Sequence, residues 1–148
     1  MPGFTLSSAA RPSCGVFNRW RHACATHGCL LSARLPHFRW TGFYILEGDT
    51  LILGPYRGAP TEHVRIPVGR GVCGTAVAED RNLVVDDVTK VDNYLACSAD
   101  TRSEIVVLVR KHGRVVAQID VDSDRPGAFS AEDERLLEAI AARIGPIF

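Results

Sequence analysis

No stretch of the 148 residues approaches the roughly 20 consecutive apolar residues that a membrane-spanning helix needs. Net charge is also missing, since 17 basic residues balance 17 acidic ones. That balance removes the general electrostatic case for nucleic acid or an anionic membrane as partner. The five cysteines are an odd number at irregular spacing, so a fully paired secreted framework is not expected, and no charged-then-apolar signal peptide opens the sequence. A reducing, cytoplasmic setting is the expectation. The length suits a single domain that buries roughly two thirds of its unfolded surface without disulfides, and an apolar fraction of 46% is that of a globular protein.

Acidic residues are absent before Glu47, a stretch that carries Arg11, Arg19, Arg21, Arg34 and Arg39. Residues 1–39 also hold Cys14, Cys24 and Cys29 with Pro2, Pro12 and Pro36, and show no sustained apolar stripe at helical spacing. Three readings compete. One is an organelle-type targeting peptide, rich in Arg and Ser and poor in acids. Another is a metal knuckle from His22, Cys24, His27 and Cys29, although its order does not match the usual paired zinc-ligand spacings. The third, preferred here, is an out-of-frame terminus: two lysines against fifteen arginines suggest a GC-rich coding region. The segment 1–39 is therefore set apart as atypical from a domain over 40–148.

From Trp40 the pattern becomes regular. Residues 41–46 and 50–54, joined by Glu-Gly-Asp, read as a hairpin; 74–80 as a short Ala-rich helix; 83–85 as a short strand; 91–96 as an irregular or helical lead into Cys97. Residues 105–109 and 115–122 form a second hairpin about Lys111, His112 and Gly113. Ser130 with Asp133 makes a capping-box start for a helix carrying Leu136, Leu137, Ile140 and Ile144 and ended by Gly145-Pro146. Hairpins with interspersed helices imply an α+β fold, an antiparallel sheet with helices packed on its faces.

Alternation over 115–122 puts Val115, Ala117, Ile119 and Val121 on one face and Val116, Gln118, Asp120 and Asp122 on the other. With a three-residue loop, Arg110 pairs with Arg114 and Glu104 faces Asp120. Three carboxylates then share a face, which is unfavourable unless a cation lies between them or one keeps a proton. A solvated polar face and an ammonium-binding pocket with one protonated carboxyl both fit.

Two cysteines sit in polar or glycine-rich surroundings. Cys97 is followed by Ser98, Asp100, Thr101, Arg102, Ser103 and Glu104, side chains able to move and direct a proton. Cys73 lies in Gly-Arg-Gly-Val-Cys-Gly-Thr-Ala at 69–76. That segment satisfies Gly-x-Gly-x-x-Gly, but a dinucleotide site needs a buried parallel strand before it, and Arg65-Ile66-Pro67 is short and broken by proline. The glycines instead deliver Cys73 to a helix amino terminus, which favours a thiolate.

Trp-Thr-Gly-Phe-Tyr (40–44), Leu-Gly-Pro-Tyr (53–56), the 64–76 and 96–107 segments and Asp-Val-Asp-Ser (120–123) together resemble the free methionine-(R)-sulfoxide reductases, which are stand-alone GAF domains. The resemblance runs from Trp40 to the carboxyl terminus. It implies that Cys97 is the nucleophile and that Glu104, Asp120 and Asp122 line the pocket as proton donor and substrate-binding groups. Cys73 would resolve the oxidised nucleophile, because the further cysteine that the family often carries ten positions before it is His63 here. Trp40 or Tyr44 would pack on the substrate's S-methyl group. The substrate is free methionine-(R)-sulfoxide and the reductant thioredoxin or a similar dithiol, with no metal or organic cofactor; a homodimer is left open. Two rivals are a GAF module that binds a small ligand and signals, and a thiol redox sensor that responds to peroxide. Residues 1–39 do not resemble the amphipathic amino-terminal helices that cover the family's sheet, which predicts an uncovered face.

Overall fold

The computed structural model describes residues 19–95 and 98–148. Ala96 and Cys97 lie outside the described residues, as does the first half of the atypical segment, including Cys14. Six strands, β1 (Trp40–Glu47), β2 (Thr50–Arg57), β3 (Arg65–Pro67), β4 (Leu83–Val85), β5 (Ser103–Lys111) and β6 (Arg114–Ser123), make one sheet in the order β3-β2-β1-β6-β5-β4. Every neighbouring pair is antiparallel. The helices are α1 (Arg19–Arg34), α2 (Gly71–Ala78) and α3 (Ala131–Ile144). The α+β expectation holds, and β3, the strand before the Gly-x-Gly-x-x-Gly segment, is a three-residue antiparallel edge with no parallel unit around it.

One sheet face packs Phe43, Ile105, Val107, Val109, Ile119 and Val121 against α1 and α3. The helix α3 starts on a complete capping box, the Ser130 hydroxyl accepting from the Asp133 N–H and the Asp133 carboxylate accepting from the Ser130 N–H. It buries Leu137, Ala141 and Ile144. The face expected to lie bare is covered: α1 turns Cys24, Gly28 and Leu31, at i, i+4 and i+7, into this core. Its stripe is hard to see in sequence because it is built from a cysteine, a glycine and one leucine, while Leu30 points to solvent at 53% exposure. Burial pushes the Cys24 thiol up to about 12, against a smaller opposing pull from Arg21, which leaves it an inert core residue. His22 on the same helix is exposed, so the helix turns two members of the suggested metal knuckle in different directions.

The opposite face packs Trp40, Tyr44, Leu51, Leu53, Val106 and Leu108 under α2, which contributes Val72, Cys73 and Ala76. That helix begins at Gly71, three residues earlier than expected. The turn between β5 and β6 also departs from expectation. It has two residues, His112 and Gly113, with φ of 51° and 77°, the left-handed pair that a type I′ hairpin requires. A bulge follows, since Val109 pairs with Ala117 whereas Arg110 pairs with Val115, leaving Val116 as the extra residue. Arg110 therefore faces Val115 rather than Arg114, and Glu104 faces Asp122 rather than Asp120. The bulge also exchanges faces at the strand's start: Val116 joins the α1/α3 core and Val115 the α2 core.

Replacing Leu137, which is fully buried, by alanine should cost about 2–5 kcal/mol of stability in chemical denaturation. The neighbouring Leu136→Ala, at a side chain 41% exposed, should change it by no more than about 1 kcal/mol. Equal losses at the two positions would contradict the packing of α3.

Candidate active site

The register places an aromatic or a glycine of β1 beside each polar residue of β6. Asp122 stands between Glu104 of β5 and Trp40 of β1, Asp120 between Val106 and Gly42, and Gln118 between Leu108 and Tyr44. All four polar side chains are buried, with Glu104 at 3%, Asp120 at 0% and Asp122 at 2% exposure. Gly42 is glycine because the Trp40 ring lies where its Cβ would be, which carries the indole across the Asp120 register. Trp40 stacks on Tyr56 with ring centroids 5.5 Å apart, and its Nε1 donates to the Ala59 carbonyl at 3.0 Å. The Tyr44 hydroxyl donates to the His63 carbonyl at 2.8 Å. His63 thus contributes a backbone acceptor at the position where a further cysteine was considered.

From the other side α2 brings the thiol. A side chain at Gly74 would strike the Pro67 carbonyl, its Cβ only 2.5 Å away, so only glycine lets the turn and the helix approach this closely. Gly69 N–H donates to Gly74 O at 2.8 Å and closes the turn. Cys73, the third residue of α2, then reaches Glu104, its Sγ donating to Oε1 at 3.9 Å. The Cys73 sulfur and one carboxylate oxygen each of Glu104 and Asp120 lie within 4.8 Å of one another.

Both described flanks of Cys97 are anchored next to this cluster. Before it, the Asn93 amide donates to Gly69 O at 2.7 Å and Leu95 packs against Gly71. After it, Arg102 N–H donates to Ser123 O on β6 at 2.8 Å, and the Arg102 guanidinium holds the Ala99 and Thr101 carbonyls. Between these elements opens a cavity of about 350 Å³, within the range of roughly 300–1,000 Å³ usual for small-molecule sites. Trp40, Asp122, Ser98 and Arg102 line it, with Arg39 and Asp124, an ion pair at 3.3 Å. Sequence reasoning missed Arg39 and Asp124, which lie far apart in the chain and carry no shared motif.

Neither carboxylate oxygen of Asp122 has a hydrogen-bond partner among the described residues, the Gln118 amide has none either, and Asp120 has only the Cys73 thiol and the Glu104 carboxyl beside it. Unpaired buried carboxylates respond by holding protons. Burial raises all three. The Asp120 carboxyl goes up to about 7, partly restrained by the nearby Cys73 thiol and Glu104 carboxyl. Asp122 rises well above the carboxylate range through burial and then the Asp120 charge, and Glu104 does so through burial and then the charges of Asp120 and Asp122. A negative charge on Asp120 raises both of the others, so the three do not ionise together. The sequence-derived residues Cys73, Glu104, Asp120, Asp122 and Trp40 come together here. Tyr44 sits one register further along beside Gln118, with its hydroxyl already engaged.

The folded chain keeps a proton on Asp120 that the unfolded chain gives up, so between pH about 4 and about 7 the native state binds more protons and stability falls as pH rises. Asp120→Asn should be close to the parent in stability at pH 4 and more stable at pH 8, by on the order of a few kcal/mol. Denaturant titrations at the two pH values measure this. A difference that does not change with pH would mean that Asp120 is not held as a buried neutral acid.

A family model described as GAF domain matches residues 16–146. The free methionine-R-sulfoxide reductase of Escherichia coli (strain K12) is 44% identical over 120 residues, covering 81% of this chain and 72% of that protein. The solved type II free methionine-R-sulfoxide reductase from Thermoplasma acidophilum superposes with a TM-score of 0.84 at 40% identity, over 86% of this chain and 91% of that one. The enzyme of that name from Neisseria meningitidis, solved in complex with its substrate, superposes with a TM-score of 0.83 at 35% identity, over 88% and 78% of the two chains. On these matches the chain belongs to the GAF domains and, among them, to the free methionine-R-sulfoxide reductase family.

Proposed function

We propose that this chain reduces free methionine-(R)-sulfoxide to methionine at the buried face of β1, β5 and β6. The observation that carries the reading is the set of three buried carboxyls, each raised chiefly by burial, packed beside the Cys73 thiol. It supplies protons at neutral pH in a site shielded from water, as departure of a sulfoxide oxygen requires. Family membership supplies the substrate class.

In this reading the Cys97 thiolate attacks the sulfoxide sulfur while a protonated carboxyl donates to the oxygen. Glu104 and Asp122 suit that donation, because the charge on Asp120 holds their protons. The protonated oxygen passes from the substrate sulfur to the Cys97 sulfur as the transient sulfur–sulfur bond breaks, so methionine leaves with its sulfur reduced by two electrons and Cys97 is left as a sulfenic acid. The Cys73 thiol then attacks the Cys97 sulfur, releasing water and forming a disulfide that thioredoxin or a similar dithiol reduces. The Asp120 carboxylate holds the substrate ammonium, and the Trp40 ring packs on the S-methyl group. A cavity of about 350 Å³ suits a free amino acid and excludes a sulfoxide within a folded protein.

The test is dithiol-driven consumption of free methionine-(R)-sulfoxide, of the (S) epimer and of protein-bound sulfoxide. Only the free (R) form should turn over, and Cys97→Ser should reduce it to background. With thioredoxin as reductant, Cys73→Ser should release about one equivalent of methionine per chain and then stall, since the resolving step is missing. Absence of turnover in the folded chain would leave a GAF module that binds a ligand without transforming it. Peroxide oxidation of Cys97 without stereospecific sulfoxide loss would instead identify a redox sensor.

A further inference from the structure

The donor set at the bottom of this site is also that of a soft-to-borderline divalent cation. Cys73 Sγ, a Glu104 oxygen and an Asp120 oxygen lie within 4.8 Å of one another and all three residues are buried. One thiol with two carboxylates selects for zinc-like ions: zinc accepts sulfur and oxygen in tetrahedral sites, whereas calcium and magnesium require six or more oxygens and do not favour a thiolate. Tetrahedral bonds of about 2.0–2.3 Å place neighbouring ligand atoms roughly 3.5 Å apart. The Cys73 to Glu104 separation of 3.9 Å is already close to that, and small side-chain rotations bring in Asp120.

A separate observation points to a ligand. Asp122 is buried, faces Glu104 across the strands, and has neither oxygen hydrogen-bonded among the described residues. It also lines the 350 Å³ cavity, which puts a carboxyl between Glu104 and the solvent side.

We propose that Cys73, Glu104, Asp120 and Asp122 form an inhibitory binding site for a zinc-class divalent cation. Binding replaces the Cys73 thiol proton and carboxyl protons by the metal and releases them to solvent. The ion occupies the position where the sulfoxide and its proton donor meet, so metal and substrate exclude each other. That exclusion rests on the proposed reductase reading; the binding itself does not.

The experiment titrates Zn²⁺ into the reduced, metal-free chain against a chromophoric chelator, with circular dichroism confirming that each variant is folded. One Zn²⁺ per chain should bind with release of protons. Asp120→Asn and Cys73→Ser should each weaken binding by roughly tenfold or more, as removal of a ligand does, and Cys29→Ser should leave it unchanged. Cd²⁺ should give a thiolate charge-transfer band that Cys73→Ser removes. Asp120→Asn leaves every cysteine in place, so it decides the matter even if Cys73→Ser fails to fold. Affinity unaltered by Asp120→Asn, or lost in Cys29→Ser, would overturn the proposal by placing zinc on other thiols. Free methionine-(R)-sulfoxide should weaken Zn²⁺ binding in proportion to its concentration. Turnover measured separately in excess chelator tests the reductase reading alone, so either proposal can fail while the other stands.

Discussion

Three carboxyl groups and a thiol are buried between a sheet and a short helix with few hydrogen bonds to hold them. A buried carboxylate without a partner costs several kcal/mol, and three in one place cannot all be charged. The fold resolves this by keeping protons where an exposed carboxyl would lose them. Asp120, flanked by Gly42 and Val106, lies close to both Cys73 and Glu104, and a charge on it opposes ionisation of Glu104 and Asp122. A stretch of sheet that weakens the protein near neutral pH is also a store of protons beside sulfur. Such a conflict between stability and chemistry is what an active site is expected to show.

The rest of the molecule sets the geometry of that enclosure. The two-residue turn and the bulge at Val116 each shift the register by one, and together they put Glu104 opposite Asp122 rather than Asp120, so that the acids form a staggered group open toward Cys73 on one side and the cavity on the other. The type I′ turn at His112 and Gly113 makes that register possible, and Gly42 gives the Trp40 ring room to lie over the β1 side. Behind the sheet, α1 and α3 bury a largely apolar face, which supplies the hydrophobic stabilisation that offsets the polar one. Protons, substrate and a zinc-class cation would all compete for the same lone pairs, so one electrostatic feature underlies both proposals.

Much could be read from the order of residues alone. Alternation over β6 identified Asp120 and Asp122 as facing the same way, because a strand's period of two leaves no choice once the strand exists. The capping box at Ser130 and Asp133 marked the start of α3 for an equally local reason. Gly74 and the neighbouring turn announced a close approach around Cys73. Local signals failed in two places. The buried stripe of α1 uses Cys24 and Gly28, residues whose burial has no periodic apolar signature, so a helix that packs on the core looked like unstructured text. The pairing of β5 with β6 was not legible, since a two-residue turn and a bulge are both settled by how two strands pair and leave no mark in either one.

Local chemistry along the chain was enough for the strands and their faces, the caps, the glycine-rich turn and the identities of the candidate groups, because each depends on neighbours a few residues away. Which carboxyl faces which, that Cys73 touches Glu104, that Arg39 meets Asp124 and that burial raises the Asp120 carboxyl depend on contacts between segments distant in sequence. Burial and charge proximity are properties of assembled space, and they arise only when β1, β5, β6 and α2 close around the same small volume.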